Sequence, residues 1–269
     1  MPRFKLTIEY AGTRYSGWQI QKNARTVQGE IDRAVRIVTR RIDFELYGSG
    51  RTDAGVHALA QVAHLDVSTS LPADTLRIRL NDELPADIHV LTTQAVPHRF
   101  HARHAAVARR YLYQISRRRT AFAKAYVWWV REPLDLGGMR DAARAFIGLR
   151  DFQSFAAGPR GEDDESGAPG AKLVLVDSLD IAEDGDLILV GIEGSHFLWK
   201  MVRRIVGVLV HIGRGGLEPS EAPGMLTEST TAPARLTAPP SGLFLERVYY
   251  PGEARSQALR AATPLRSSP

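Results

Sequence analysis

The order of strand-like and helix-like segments in the first 96 residues constrains the fold more than any other feature of this sequence. Alternating polar and apolar residues predict strands, whereas apolar residues three and four apart predict helices. In chain order the predicted elements are the strand Phe4–Tyr10, a helix capped by Thr26 and striped from Val27 to Val38, the strands Ile42–Tyr47 and Gln61–Val67, a helix from Pro72 to Leu84, and the strand Ile88–Val96. The order strand, helix, strand, strand, helix, strand is that of the ferredoxin-like split unit.

The second part of the sequence repeats this order less cleanly. Its predicted elements are the strands Arg110–Ile115 and Tyr126–Val130, a helix striped between Leu136 and Phe146, the strand pair Leu173–Ile181 and Leu187–Glu193, a helix Phe197–Ile212 that is apolar nearly all round, and a final strand Leu243–Tyr249. We therefore predict an α+β fold in which two ferredoxin-like halves contribute to an extended, largely antiparallel sheet flanked by helices. We expect the halves to span residues 1–105 and 106–250.

Some segments lack the periodicity of a helix or a strand. Gly158–Gly170 contains four acidic residues among glycines and prolines, and we expect a mobile surface loop there. Residues 251–269 form a polar tail rich in Arg, Ser and Pro, for which we predict disorder.

A glycine-rich loop, residues 48–58, joins two predicted strands and concentrates polar chemistry. It places Arg51, Thr52 and Asp53 in succession among three glycines. Without further context Asp53 is more often a turn former, whose carboxylate accepts backbone N–H groups. The functional alternative is a carboxylate nucleophile or general base, with Arg51 close enough to keep it ionised.

Composition excludes several classes of protein. The sequence has no cysteine, which rules out disulfides, thiolate zinc sites and a cysteine nucleophile. No apolar run approaches the roughly 18 residues of a membrane span. The N-terminus enters a strand pattern directly without a signal-peptide core, so we expect a cytoplasmic protein. Phosphate-binding and dinucleotide-binding glycine motifs and a nucleophile elbow are also missing, so the sequence predicts no cofactor.

The charge of the chain favours a polyanionic partner. The net charge is +5, and all but five of the 35 basic residues are arginine, whose planar fork suits phosphates and bases. Basic clusters such as Arg117–Arg119 and acidic clusters such as Glu183–Asp186 are separate in the sequence, which indicates a basic face for nucleic acid. The alternative is that these arginines lie on ordinary solvated surfaces.

Other candidate site residues lie in the second part of the chain. Tyr111 and Tyr113 point to one face of a strand, where they can pack in the core or stack on a nucleobase. Arg203 and Arg204 lie on the apolar helix, either reaching the edge of the core or delivering one guanidinium into a site. A metal site is the less favoured interpretation of the regularly spaced His98, His101 and His104, because it would have to form in an arginine-rich stretch.

Several motifs resemble one known family along nearly the whole chain. Gly50-Arg51-Thr52-Asp53-Ala54-Gly55-Val56-His57 is similar to the signature of the TruA family, the tRNA pseudouridine synthases A. Further blocks that resemble this family are Ile8–Gly12, Tyr15–Gln19, Thr26–Gln28, Phe100–Arg103, Ala108–Tyr111, Asp151–Phe155, Phe197-Leu198 with Met201–Arg203 and Ile205–Gly207, and Ala238-Pro239 with Gly242-Leu243 and Leu245.

The resemblance implies an activity and a role for each candidate residue. Asp53 would be the catalytic aspartate and Arg51 the arginine that pairs with it. Tyr111 would pack on the target base, and Arg203 would be a basic residue near the catalytic carboxylate. The implied enzyme isomerises uridine to pseudouridine in the anticodon stem-loop of tRNA, with expected positions 38, 39 and 40.

The resemblance also implies the setting of that activity. It implies a homodimer, no metal ion or organic cofactor, and a catalytic cleft between the halves, reached by a nucleotide that leaves its stack. The alternative is a non-catalytic RNA-binding protein or tRNA chaperone that uses the same basic surface.

Overall fold

The computed structural model of the protein describes residues 1–157, 172–255 and 258–265. The expected mobile loop Gly158–Gly170 lies outside these residues. Contacts divide the chain into two compact units, Met1–Ala108 with Phe244–Ser256, and Arg109–Leu243 with Gln257–Pro269.

The first unit is a mostly antiparallel sheet with helices. Its elements are β1 (Arg3–Tyr10), α1 (Val27–Thr39), β2 (Phe44–Gly48), β3 (His57–Val67), α2 (Ala73–Glu83), β4 (Ile88–Val96) and, from late in the chain, β10 (Leu243–Tyr249). The strand order is β4–β1–β3–β10, and β2 also pairs with β3. All these pairs are antiparallel except β3–β10.

Local sequence patterns account for these elements. In β1 the alternate residues Phe4, Leu6, Ile8 and Tyr10 are buried, as the period of two predicts. The Thr26 hydroxyl accepts the Gly29 N–H at 3.2 Å and caps α1, whose apolar stripe is buried from Val27 to Val35. Pro72 precedes the first residue of α2, where it lacks only an N–H that a helix start leaves unused.

Strand β10 joins the first unit through long-range pairing. Its residues Phe244 and Leu245 pair in parallel with His57 and Ala58 at the start of β3. The division proposed from the sequence ends the second half with this strand. Strand β1 lies along one edge of β3. The other edge of β3 is shared by β2 and β10, and the glycine-rich loop leaves the sheet between these two strands.

The second unit is also a mixed α+β structure. Its elements are β5 (Ala108–Ser116, beginning at the boundary of the two units), β6 (Trp128–Trp129), α3 (Leu136–Ala143), β7 (Gly148–Asp151), β8 (Leu173–Asp184), β9 (Leu187–Gly194), α4 (Met201–Gly213) and the short helices α5 (Gly224–Thr227) and α6 (Ala232–Arg235). Its strand order is β5–β9–β8–β7, all antiparallel, with β6 parallel to β5. The predicted α+β class, with a mostly antiparallel sheet flanked by helices, is confirmed.

Some predicted boundaries differ from the structure. The buried helix begins at Met201 rather than Phe197, because Lys200 adopts a left-handed conformation (φ 61°) that interrupts helical geometry. The prediction that this helix is buried nearly all round is confirmed, since only Arg203, Arg204 and His211 within it are partly exposed. The strand predicted over Tyr126–Val130 is shorter in the structure, where β6 covers only Trp128–Trp129. The edge strand β7 had no predicted counterpart.

Part of the expected disordered tail makes defined contacts within the second unit. The buried side-chain amide of Gln114 accepts the Ala262 N–H at 2.7 Å and donates to the Thr263 hydroxyl at 2.9 Å. A methyl group on Gly191 would lie 2.3 Å from Leu259, so the tail sits directly on the sheet there. Within the described residues, no helix combines the length and apolar character that crossing a membrane requires.

Candidate active site

The glycine-rich loop is anchored to the sheet at its first residues. The Ser49 N–H donates to the Val62 carbonyl at 2.7 Å, and the Ser49 hydroxyl donates to the Gln61 side-chain oxygen at 2.6 Å. The amide nitrogen of Gln61 then donates to the Gly50 carbonyl at 3.0 Å. Ser49 and Gln61 are both buried, so the loop leaves the sheet from a fixed point.

Thr52 holds the loop immediately before Asp53. Its hydroxyl is 2.8 Å from the Tyr10 hydroxyl, and its carbonyl accepts the Trp18 N–H at 3.1 Å. This approach depends on Gly17, which has φ +95° and whose missing Cβ would lie 2.5 Å from the Thr52 oxygen. Any side chain at residue 17 would therefore push the loop away and strain the backbone.

The residues after Asp53 are held as firmly. The Val56 N–H donates to the Asp53 carbonyl at 3.2 Å, and the Gly55 N–H donates to the Tyr15 carbonyl at 3.3 Å. Gly55 has φ 79°, which suits glycine. The Gly12 N–H donates to Nδ1 of the buried His57, so that nitrogen is an acceptor and the proton of the neutral ring is on Nε2.

This anchoring determines which side chains are accessible. Thr52 is buried, Asp53 is half-buried and Arg51 is exposed. A carboxylate and a guanidinium two residues apart are thus presented on a loop whose neighbouring residues are fixed. A rigid, partly desolvated carboxylate is what nucleophilic or general-base catalysis requires.

The structure separates the roles of the two tyrosines on β5. Tyr113 is fully buried and donates its hydroxyl to the Pro239 carbonyl at 2.7 Å; burial raises the pKa of this phenol well above its usual value. Tyr111 is half-buried and packs edge-on against Phe197, with ring centres 5.2 Å apart. Core packing, one of the alternatives for this pair, therefore describes Tyr113, whereas Tyr111 keeps part of its ring accessible.

The adjacent arginines of α4 contact main-chain oxygens. Arg203 donates from Nε to the Ala238 carbonyl at 2.7 Å, and its own carbonyl accepts the Ala238 N–H. Arg204 donates to the carbonyls of Ala156 and Ser154 at 2.5 and 3.3 Å, and burial lowers the pKa of its guanidinium. Both lie partly exposed in the second unit, as Tyr111 does, whereas Arg51 and Asp53 lie in the first.

Two of the three spaced histidines, His101 and His104, form a ring cluster with His64 of β3. His64, His101 and His104 lie in series, with ring centres 4.6 and 4.2 Å apart, and Tyr47 stacks on His64. Ring nitrogens of this cluster accept main-chain N–H groups, at Ala102 for His64 and at Arg103 for His101. Across the described part of the chain, no group of three or more His, Asp or Glu is placed to hold a metal ion.

Sequence reasoning missed the residues that support the loop from outside it. Tyr10, Tyr15, Gly17 and Gln61 act through contacts with residues 11 to 42 positions away. Tyr10, Tyr15 and Gly17 lie in two of the blocks that resemble the family, Ile8–Gly12 and Tyr15–Gln19, but a sequence block does not show where its residues pack.

Comparison with known proteins identifies the family. The family model for tRNA pseudouridine synthases matches residues 6–104 and 142–251, which include Arg51, Asp53 and Arg203 but not Tyr111. The chain belongs to the tRNA pseudouridine synthase family. The family is one of isomerases, and the resemblance stated from the motifs is confirmed.

Relatives named tRNA pseudouridine synthase A match nearly the full length of the chain. One from Rhodopseudomonas palustris (strain BisA53) is 42% identical over 253 residues, covering 93% of this chain and 100% of the relative. One from Halalkalibacterium halodurans is 39% identical over 249 residues, covering 92% of each chain. A third, from Thermoanaerobacter sp. (strain X514), is 39% identical over 253 residues, covering 93% of this chain and 100% of the relative.

Proposed function

We propose that this protein isomerises uridine to pseudouridine in the anticodon stem-loop of tRNA, at positions 38, 39 and 40, with Asp53 as the catalytic carboxylate. The observation that carries the proposal is the half-buried Asp53 on a loop held by Thr52 before it and by Gly55 after it. This loop lies within the first segment that the family model matches.

The chemistry fits a site built from a carboxylate and cations. The bond from C1′ of the ribose to N1 of uracil breaks, the base turns, and a bond from C1′ to C5 forms while the proton on C5 moves to N1. Atoms balance within one nucleotide, and no electron donor or acceptor is required. Asp53 can attack carbon or take a proton, and either role needs it ionised and close to the flipped nucleotide.

The other candidate residues take supporting roles in this proposal. Arg51 pairs with the catalytic carboxylate and contacts RNA, and Tyr111 offers its accessible ring to the target base. Arg203 contributes positive charge near the substrate. The enzyme acts as a homodimer in the cytoplasm, where its tRNA substrate is found.

The decisive experiment compares Asp53→Asn with the matched control Asp74→Asn, a carboxylate whose side chain is 88% exposed on α2. Pseudouridine is measured in an anticodon stem-loop RNA under single-turnover conditions. We expect Asp53→Asn to lose activity by about 10⁴-fold or more while Asp74→Asn retains it, with RNA binding unchanged in both, because the variant keeps the shape but not the charge of the carboxylate. Retained activity in correctly folded Asp53→Asn would reject Asp53 as the catalytic carboxylate. A wild-type protein that binds the RNA but forms no pseudouridine would leave RNA binding or chaperoning as the function.

A further inference from the structure

One segment supports the candidate loop on both sides of Asp53. Residues 11–18, here called the bracing loop, follow β1 and precede α1. The bracing loop donates the Trp18 N–H to the Thr52 carbonyl at 3.1 Å, and its Tyr15 carbonyl accepts the Gly55 N–H at 3.3 Å. The backbone that carries Asp53 is therefore held before and after the carboxylate by the same short segment.

The bracing loop is itself fixed by Asp87, in the turn between α2 and β4. The Tyr15 hydroxyl donates to the Asp87 carboxylate at 2.5 Å, and the Ala11 N–H donates to the Asp87 carbonyl at 2.9 Å. Asp87 thus holds the bracing loop at its first residue and again at its centre. Hydrogen bonds from a neutral hydroxyl to a carboxylate are shorter and stronger than those between neutral groups.

Burial makes Tyr15 a rigid anchor. Its side chain is only 3% exposed, and the Arg25 guanidinium lies 4.9 Å from its ring centre. Burial, followed by the hydrogen bond to Asp87, raises the pKa of the phenol above its usual value, so Tyr15 stays protonated and remains the donor. A buried aromatic ring with a fixed hydroxyl leaves the Tyr15 carbonyl little freedom to move.

We propose that Tyr15, anchored by Asp87, is a positioning residue for Asp53, because it holds the Gly55 N–H and so sets the course of the backbone beneath the carboxylate. The inference rests on the proposed function of Asp53. Small displacements of a catalytic group slow the chemical step by large factors. Loss of the Tyr15–Asp87 hydrogen bond should therefore slow chemistry while RNA binding is unchanged.

The test uses Tyr15→Phe, Asp87→Ala and the conservative Asp87→Asn, whose side-chain oxygen still accepts from Tyr15. Single-turnover rates and the Kd for an anticodon stem-loop RNA are measured for each variant. We expect Tyr15→Phe and Asp87→Ala each to lower the single-turnover rate about tenfold or more with Kd unchanged. Asp87→Asn should retain most of the wild-type rate. The double variant Tyr15→Phe/Asp87→Ala should be no slower than the slower single variant. Tyr47→Phe, at a tyrosine 55% exposed on β2, is the matched control and should keep the wild-type rate.

A readout independent of activity separates positioning from general destabilisation. In Tyr15→Phe we expect amide hydrogen exchange at Gly55 to accelerate selectively, while amides in the centre of β3 keep their protection. A wild-type rate in Tyr15→Phe, an effect on Kd alone, or uniform acceleration of exchange throughout the first unit would overturn the proposal. If Asp53→Asn keeps its activity, the proposed catalytic role of Asp53 is rejected. If Asp53→Asn loses its activity while Tyr15→Phe keeps the wild-type rate, only the positioning role of Tyr15 is rejected.

Discussion

At the scale of single residues, side chains outside the reaction decide how Asp53 is presented. Thr52 faces inward to Tyr10, and the half-buried Asp53 follows it, so an inward anchor sits directly beside the proposed catalyst.

The same unit contains a buried histidine, His64, whose pKa is lowered to about 4. Burial is the main cause, and the neighbouring Arg3, His101 and His104 oppose protonation further, while Asp66 favours it only in part.

His64 predicts a pH-dependent stability. Because its folded-state pKa of about 4 lies below the unfolded value of 6.5, its contribution is fully present above pH 6.5 and is lost as the pH falls towards 4. The loss approaches about 3 kcal/mol of unfolding free energy. We expect His64→Gln to flatten this part of the stability curve, measured by urea unfolding at several pH values. His89→Gln, at an exposed histidine on β4, should reproduce the wild-type curve; equal slopes in all proteins would contradict the assignment.

At the scale of elements, strands and helices follow from local pattern, while their partners do not. The alternation of β1 and the capped stripe of α1 could be read directly from the sequence. The pairing of β10 with β3 could not, because it joins residues nearly 190 positions apart and depends on which strand edge remains open. The contact between the polar tail and Gln114 is of the same kind.

The tail contact predicts that removal of residues 257–269 destabilises the protein. The buried Gln114 amide would lose the groups it bonds at Ala262 and Thr263, a cost of about 1–3 kcal/mol, and the melting temperature should fall by several degrees. Thermal unfolding of the truncated chain, of Gln114→Ala and of their combination measures this. We expect the combined change to cost less than the sum of the two. Fully additive losses would show that the tail does not act through Gln114, and an unchanged melting temperature after truncation would show that the tail contributes nothing.

At the scale of the whole molecule, the arginine excess is less segregated than the sequence indicated. Arg117 pairs with Glu183, and Arg118 with Asp186 at 2.6 Å, so this basic cluster meets the acidic turn between β8 and β9. The pairing of Ser116 with Leu187 brings the ends of β5 and β9 together and causes this contact. The net charge of +5 still favours a polyanion, but not every cluster is available to it.

Charge predicts salt-dependent RNA binding in which these paired arginines take little part. The logarithm of the binding constant for an anticodon stem-loop RNA should fall linearly with the logarithm of salt concentration, by about 0.7–0.9 for each phosphate contacted. Between 50 and 200 mM salt we expect affinity to fall about tenfold or more. Arg117→Gln should leave the slope unchanged, because its guanidinium already faces Glu183. Salt-independent binding, or a slope reduced by about one in Arg117→Gln, would refute this view.

The sequence by itself determined the α+β class, most of the elements and the family, because periodicity, capping residues and motifs act over short distances. It also placed Asp53 and Arg51 on one loop. Only the tertiary structure decided that Tyr15 and Asp87 support that loop, that Tyr113 is structural while Tyr111 stays partly accessible, and that Arg117 meets Glu183. These contacts join distant segments, and their geometry depends on strand register and packing, which local pattern does not encode.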